Sequence, residues 1–410
     1  MRRSWAKPRD AHWMNELQDL FQTSTIRARA KHFLTRARQG RSTHFWLADE
    51  KIGACAELVA QITKERYPDL DIPFHSRWRH FEAGGVDRRQ WLNEEANNPI
   101  ALIDLVIVSV LLDAGAGAQW KYLEKETGQT FTRSEGLGVA SFNAFMNGEF
   151  SSQDGSKRQC DAKALKSVTA DQLAKIFQAS QTNPLVGLDG RADLLRRLGH
   201  ALEMHPEIFG KEGRPGQLFE HASKRWTHVS AHQLLSLILE TLSPIWPSGQ
   251  TLQGVALGDC WPHPGLGSSR ELSSGWMPFH KLSQWLTYSL LEPFMWSGVP
   301  VMGLHELTGL PEYRNGGLFL DSGVIAFKNE STQTAWHHPS HELIVEWRAL
   351  TVALLDELAP RVRDLLQRSE AQMPLACVLE GGTWAAGRSL ASKLRDGAPP
   401  ILIQSDGTVF

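Results

Sequence analysis

PFHKLSQWLTYSLLE, residues 278–292, is the stretch that decides how this chain folds. At 100° per residue, Phe279, Leu282, Leu286, Ser289 and Leu290 fall on one side, which predicts a helix with that side packed inward. Pro278 suits the first helical position, where its missing N–H costs little. Lys281, Gln284, Trp285, Tyr288 and Glu292 gather on the other side. Ammonium, amide, indole, phenol and carboxylate together suit the gripping of a polar ligand. A half-exposed helix laid against another part of the chain explains them equally well.

Upstream of this helix the pattern stays helical. Asp10 to Leu20 and Thr25 to Arg38 read as helices, the second stopped by Gly40. Asp49 to Tyr67 is a third, ending before Pro68. FHSRWRHF, residues 74–81, interleaves cations with aromatics, which suits an anion or an Arg–Trp cluster that fixes a loop. Asn98–Pro99 caps IALIDLVIVSVLLD, a run apolar on every side and so a central buried helix. Asp104 within it needs a partner. Asp113 closes it, where the helix dipole disfavours an anion unless a cation answers it. Thr132/Glu135, Thr169/Gln172 and Ser230/Gln233 have capping-box spacing, so Glu135 reads as a cap as readily as a ligand group.

Residues 243–277 form the longest stretch without periodicity, and loops of that length are commonly functional. Asp259, Cys260 and His263 lie in it, directly before the polar helix. Downstream, Leu318–Leu320 and Val324–Phe327 predict a hairpin about Asp321–Ser322–Gly323. Helices follow from His341 to Leu366, broken at Pro360, and a second hairpin turns at Ser405–Asp406–Gly407. The expected fold is therefore mainly α, multi-helical, with two small β-hairpins. It is read as one helical domain over 1–410, with an N-terminal helical subdomain over 1–97 as its finer division.

The 410 residues are 42% hydrophobic and 21% charged, with net charge −2. That is a globular composition without an electrostatic case for nucleic acid. The four cysteines are far apart and form no metal-type spacing, so reduced thiols in a cytoplasmic protein are expected. The N-terminus lacks an apolar signal core, and Ile100 to Leu112 is too short to span a bilayer, so no membrane partner is expected. No P-loop, dinucleotide fingerprint, HExxH or GxSxG is present.

Several stretches in order carry a resemblance: FHSRWRHF, LLDAGAG with Trp120 and Tyr122, RSEGLGVAS, NPLVGLDGR, LGDCWPHP, PFHKLSQWLTYSLLEP, LTGLPEYRNGGL, GGTWAAGR and SDGTVF. From about Thr25 to Phe410 the chain resembles the uracil-catabolism family, whose fungal members belong to the URC pathway. That resemblance implies a route in which uracil becomes a nucleotide, its ring is opened, and urea leaves ribosylurea or its 5′-phosphate. The polar helix is also distantly similar to queuosine salvage proteins. Those hydrolyse an N-glycosidic bond in a helical, DNA-glycosylase-like fold.

Release of urea from a ribosyl group passes through an oxocarbenium-like state, which a carboxylate stabilises while an acid protonates the departing nitrogen. Asp259 is the first candidate for the carboxylate, Asp321 the second and Asp113 the third, with His280 as the acid. Lys281, Gln284 and Tyr288 are expected on urea or ribose, and Glu135 and Glu312 among the polar contacts. Arg133 and Arg314 are expected on a phosphate. No cofactor and no metal are expected, and the ligand is a small ribosyl compound. A metal-dependent amidohydrolase using His263, His280, His305 and Asp321 is the second reading. A non-catalytic partner of the ring-opening enzyme is the third.

Overall fold

The computed structural model describes residues 17–92, 98–113, 115–153, 158–246, 250–267 and 271–404. The chain is mainly α. Thr23–Arg38 (α1) ends at Gly40, whose φ of 70° stops it. Phe45–Leu47 (β1) leads to Ile52–Arg66 (α2). Pro99–Leu111 (α3) is the central helix. Asn98 caps it through the Ala101 N–H, and the residues from Ala101 to Leu111 are all buried. Asp104 finds its partners there: Arg214 Nε at 2.6 Å and the Gly216 N–H at 2.7 Å.

A short hairpin, Tyr122–Leu123 (β2) with Thr130–Phe131 (β3), precedes Arg133–Met146 (α4). Leu188–Met204 (α5) and Ala231–Leu242 (α6) follow. The Thr169/Gln172 and Ser230/Gln233 caps both form. The third does not: Thr132 makes no side-chain cap bond, because Arg133 turns into the helix in the left-handed region with φ 54°.

The aperiodic stretch before the polar helix contains local pairing. Cys260–Pro262 (β4) lies antiparallel to Trp276–Pro278 (β5), and residues 251–252 pair with 255–256. Pro278 therefore ends a strand and is not the first helical residue. The helix itself is Lys281–Trp296 (α7). Both of its long sides are buried, since every residue from Leu282 to Phe294 is covered. Gln284, Thr287, Tyr288 and Ser289 enter the interior because each has an internal hydrogen-bond partner.

The hairpin expected about Asp321–Gly323 is overturned. Tyr313–Asp321 is a helix (α8), and Ile325–Phe327 (β6) pairs with β1 across the molecule. Glu312 caps α8 by accepting from Arg314 N at 2.6 Å and Asn315 N at 2.7 Å. The Gly316–Gly317 pair marks close packing and not a turn. A Cβ on Gly316 would stand 2.5 Å from the Trp347 ring. Pro360 does not break the last long helix either. Glu342–Leu366 (α9) runs through it. Leu355, Leu358, Ala359, Val362 and Leu366 are buried on either side, so packing offsets the lost backbone bond.

Trp336–His337 (β7) pairs in parallel with Leu402–Ile403 (β8), and Trp384–Arg395 (α10) stands before that tail. The helix expected over 10–20 lies mostly outside the described residues, as does the hairpin turn at 405–407. Buried side chains from Ile26 to Ile401 form one contiguous core cluster. No described helix is long and apolar enough to cross a membrane.

Candidate functional site

Three helix starts converge on one cavity of about 530 Å³. α7 brings Lys281 and Trp285, α8 brings Glu312, Tyr313 and Arg314, and α4 brings Arg133 and Ser134. Asp113 enters from the turn after α3, His75 and His80 from the FHSRWRHF stretch, and Trp384 from α10. The tail from Asp396 to Ile403 supplies a further wall.

Local chemistry fixes each start. Before α7, the Phe279 and His280 N–H groups both reach the Asp259 carbonyl, at 2.9 and 3.2 Å. His280 then takes a left-handed conformation, φ 48°, which turns strand into helix. Asp113 sits on a turn held by Arg191, which donates to Leu112 O at 3.1 Å and Gly115 O at 3.2 Å. Arg77, wholly buried, answers the carboxylate. Its Nη1 lies 3.0 Å from Asp113 Oδ1, an ion-pair contact without hydrogen-bond alignment. Arg77 is fixed by Nε donating to Ser109 Oγ at 2.7 Å and by the face of Trp285, 5.8 Å away.

Lys281 is half-buried at the start of α7. Among the described residues its ammonium has no hydrogen-bond or ion-pair partner. Burial lowers its pKa, with Glu312 foremost in opposing the shift and Asp113 contributing. Burial raises Glu312, opposed first by Lys281 and then by the two N–H groups that it caps. His80 is pushed down to about 4 by burial and then by Arg77, so its imidazole is neutral near pH 7. The Nδ1 of His80 has no partner among the described residues. His75 Nδ1 shares a 2.8 Å hydrogen bond with Glu380. Burial alone would raise Glu380, but His75 and Arg66 hold it at about 2. The wall thus mixes cations, carboxylates and aromatic faces, which suits a small polar ligand with a charged end.

Of the residues singled out in the sequence, Asp113, Arg133, Lys281, Glu312 and Arg314 meet in this cavity. Asp259, Asp321, His280, Glu135, Gln284 and Tyr288 do not line it. Asp259 is gripped by Arg348, while Trp261 Nε1 and Lys281 N also donate to it. Asp321 makes two 2.7 Å bonds with Arg395. His280 stacks on Phe21 with centroids 5.5 Å apart, and its Nε2 lies 2.8 Å from Leu20 O. Gln284 exchanges bonds with Thr308, donating to Oγ1 at 2.7 Å and accepting from N at 2.8 Å. Tyr288 donates to Thr308 O at 3.2 Å. The polar side of α7 therefore anchors Thr308 through Gln284 and Tyr288, ties Arg79 through Glu292, and faces the cavity only at Lys281 and Trp285. Glu135 accepts from Arg388 at 2.7 Å and does not complete a capping box.

The sequence reading marked His75 and His80 only as part of an anion-suited stretch and assigned them no role in the site, and it passed over Tyr313, Trp384 and the tail wall. FHSRWRHF was the available signal, since its two histidines flank the arginine that meets Asp113. Among the described residues no three His, Cys, Asp or Glu side chains converge as a metal site requires. His263, His280, His305 and Asp321 are thus not brought together as a ligand set.

Residues 19–410 match the family described as protein of unknown function, DUF1688. Protein urg3 of Schizosaccharomyces pombe is 39% identical over 409 residues, covering 95% of this chain and 98% of its own length. Uracil catabolism protein 4 of Lachancea kluyveri is 37% identical over 430 residues, covering 94% and 97%.

Proposed function

We propose, from the premise that this chain belongs to the DUF1688 family, that it acts in uracil catabolism as an N-glycosidic hydrolase. It releases urea from ribosylurea or its 5′-phosphate. The pathway rests on the name of the Lachancea kluyveri relative. The reaction rests on one observation: a Lys281 ammonium with no partner among the described residues shares a cavity with the Asp113 carboxylate.

In this reading the bond between the anomeric carbon and the urea nitrogen breaks, and its electron pair stays on nitrogen. Asp113 balances the developing positive charge on the sugar and orients a water, whose oxygen bonds to that carbon. Lys281, made more acidic by burial, protonates the leaving nitrogen. The water's proton passes to Asp113 and returns to Lys281. Trp285, Tyr313 and Trp384 offer apolar faces that exclude bulk water.

The test is urea release from ribosylurea and from its 5′-phosphate by the purified full chain, with and without divalent metal. Urea appearing together with free ribose or ribose 5-phosphate is the expected result. Intact substrate under every condition argues against hydrolysis and favours a non-catalytic role. Release of ammonia in place of urea points to amide hydrolysis.

A further inference from the structure

Arg314 is 4% exposed, yet among the described residues no carboxylate lies within 4 Å of it. Its Nε has no acceptor, and its Nη1 reaches only a long 3.4 Å contact to Gly397 O. The ring of Tyr313 lies 4.7 Å from the guanidinium. A buried cation without an anion is costly, so such a group is normally answered by a partner. Arg133 approaches the same glycine from another side. A Cβ on Gly397 would stand 3.2 Å from Arg133 Nη2, and Gly397 has φ 84°. Arg133 also lacks an ion-pair partner among the described residues, and its own backbone is held left-handed at φ 54°.

The carboxylates of the wall do not fill this role. Glu312 is committed to the first N–H groups of α8, Asp113 faces Arg77, and Asp396 lies within 4 Å of neither guanidinium. The first-turn N–H groups of α4 add positive character on the same side, since Thr132 offers no side-chain cap.

We propose that Arg133 and Arg314, converging on Gly397, form an anion subsite that takes the phosphomonoester end of the ligand. Two planar guanidiniums with parallel donors match the three oxygens of a terminal phosphate. The identity of the rest of the ligand as a ribosyl compound rests on the hydrolase reading. The subsite makes the 5′-phosphate form, and not free ribosylurea, the preferred substrate.

Isothermal titration calorimetry on the full chain tests this with ribose 5-phosphate, ribose, glycerol 3-phosphate and glycolate. Ribose 5-phosphate is expected to bind at least tenfold tighter than ribose. Arg133→Ala, at an exposed side chain, is expected to weaken ribose 5-phosphate by roughly tenfold to a hundredfold while leaving ribose unchanged. Arg314→Met does the same if its circular dichroism matches the wild type. Equal affinity for ribose and ribose 5-phosphate overturns the subsite and leaves the ribosyl reading standing. Tight glycerol 3-phosphate binding without ribosyl preference supports the subsite and removes the ribosyl reading. Glycolate binding as tightly as glycerol 3-phosphate overturns the choice of phosphate.

Discussion

Arg348 and Asp259 are joined by two parallel hydrogen bonds, Nη1–Oδ1 and Nη2–Oδ2, each 2.7 Å, with the guanidinium 4.0 Å above the Phe279 ring. Both side chains are buried. The carboxylate best placed by the sequence for catalysis is therefore a tie between α9 and the entry to α7. Asp259→Asn should lower unfolding free energy by about 3–5 kcal/mol, because the buried guanidinium loses the negative charge that its two parallel bonds answer. Replacing both partners by leucine and methionine should recover much of that loss. Denaturant unfolding of the three variants checks this. A stable Asp259→Asn protein that fails only in turnover would return the acid to a catalytic role.

Lys281→Met removes a charge that has no partner among the described residues, so folding should be almost untouched. Urea release should fall by about 10²–10⁴-fold if the ammonium is the general acid. Thermal melting and saturating-substrate kinetics separate the two effects. Full turnover in the variant removes Lys281 from the mechanism.

His80 gives the site a pH signature. Its pKa is about 4 in the folded chain against 6.5 for the free side chain. The unfolded state binds more protons between those values, so acid favours unfolding there. The stability present above pH 6.5 is lost as pH falls toward 4, by about 3 kcal/mol in all. His80→Gln should lose less stability than wild type over that window. The comparison cancels groups common to both proteins, such as Glu292, whose pKa of about 7 has the opposite effect. Identical pH slopes in the two proteins would count against a buried neutral His80.

Gly387 lets α10 lie against α8. A Cβ there would meet the Arg314 carbonyl at 2.1 Å, and that atom is backbone. Gly387→Ala should cost about 1–3 kcal/mol and displace the start of α8. Ribose 5-phosphate affinity should then drop although the substitution lies on a different helix. Unchanged stability would show that the two helices have room that the close approach denies.

How far the sequence reached differs from element to element. Central α3 was legible because its composition, its Asn98–Pro99 cap and its apolar run all agree. The Asn98 cap forms as read. The end of α8 reads as a hairpin arm because Asp321–Ser322–Gly323 looks like a turn between two short apolar runs, and Gly316–Gly317 lowers any local signal for a helix before it. The glycines are small for the Trp347 ring and the Pro400 side chain, neighbours distant in sequence. The site followed the same rule. Asp113 and Arg314 could be named as chemistry-bearing residues from their local setting, but their meeting could not.

The sequence by itself determined the class of fold, the family and the set of polar residues available for chemistry, since these depend on local pattern and composition. Only the tertiary structure decided which carboxylates and cations neutralise each other and which stay unmatched. Asp259 with Arg348 and Asp321 with Arg395 are closed pairs, whereas Lys281 and Arg314 face a shared cavity without an acidic partner within 4 Å among the described residues. The reason is physical. Coulomb energy and desolvation depend on distances between groups tens to hundreds of residues apart, and those distances exist only once the chain has packed.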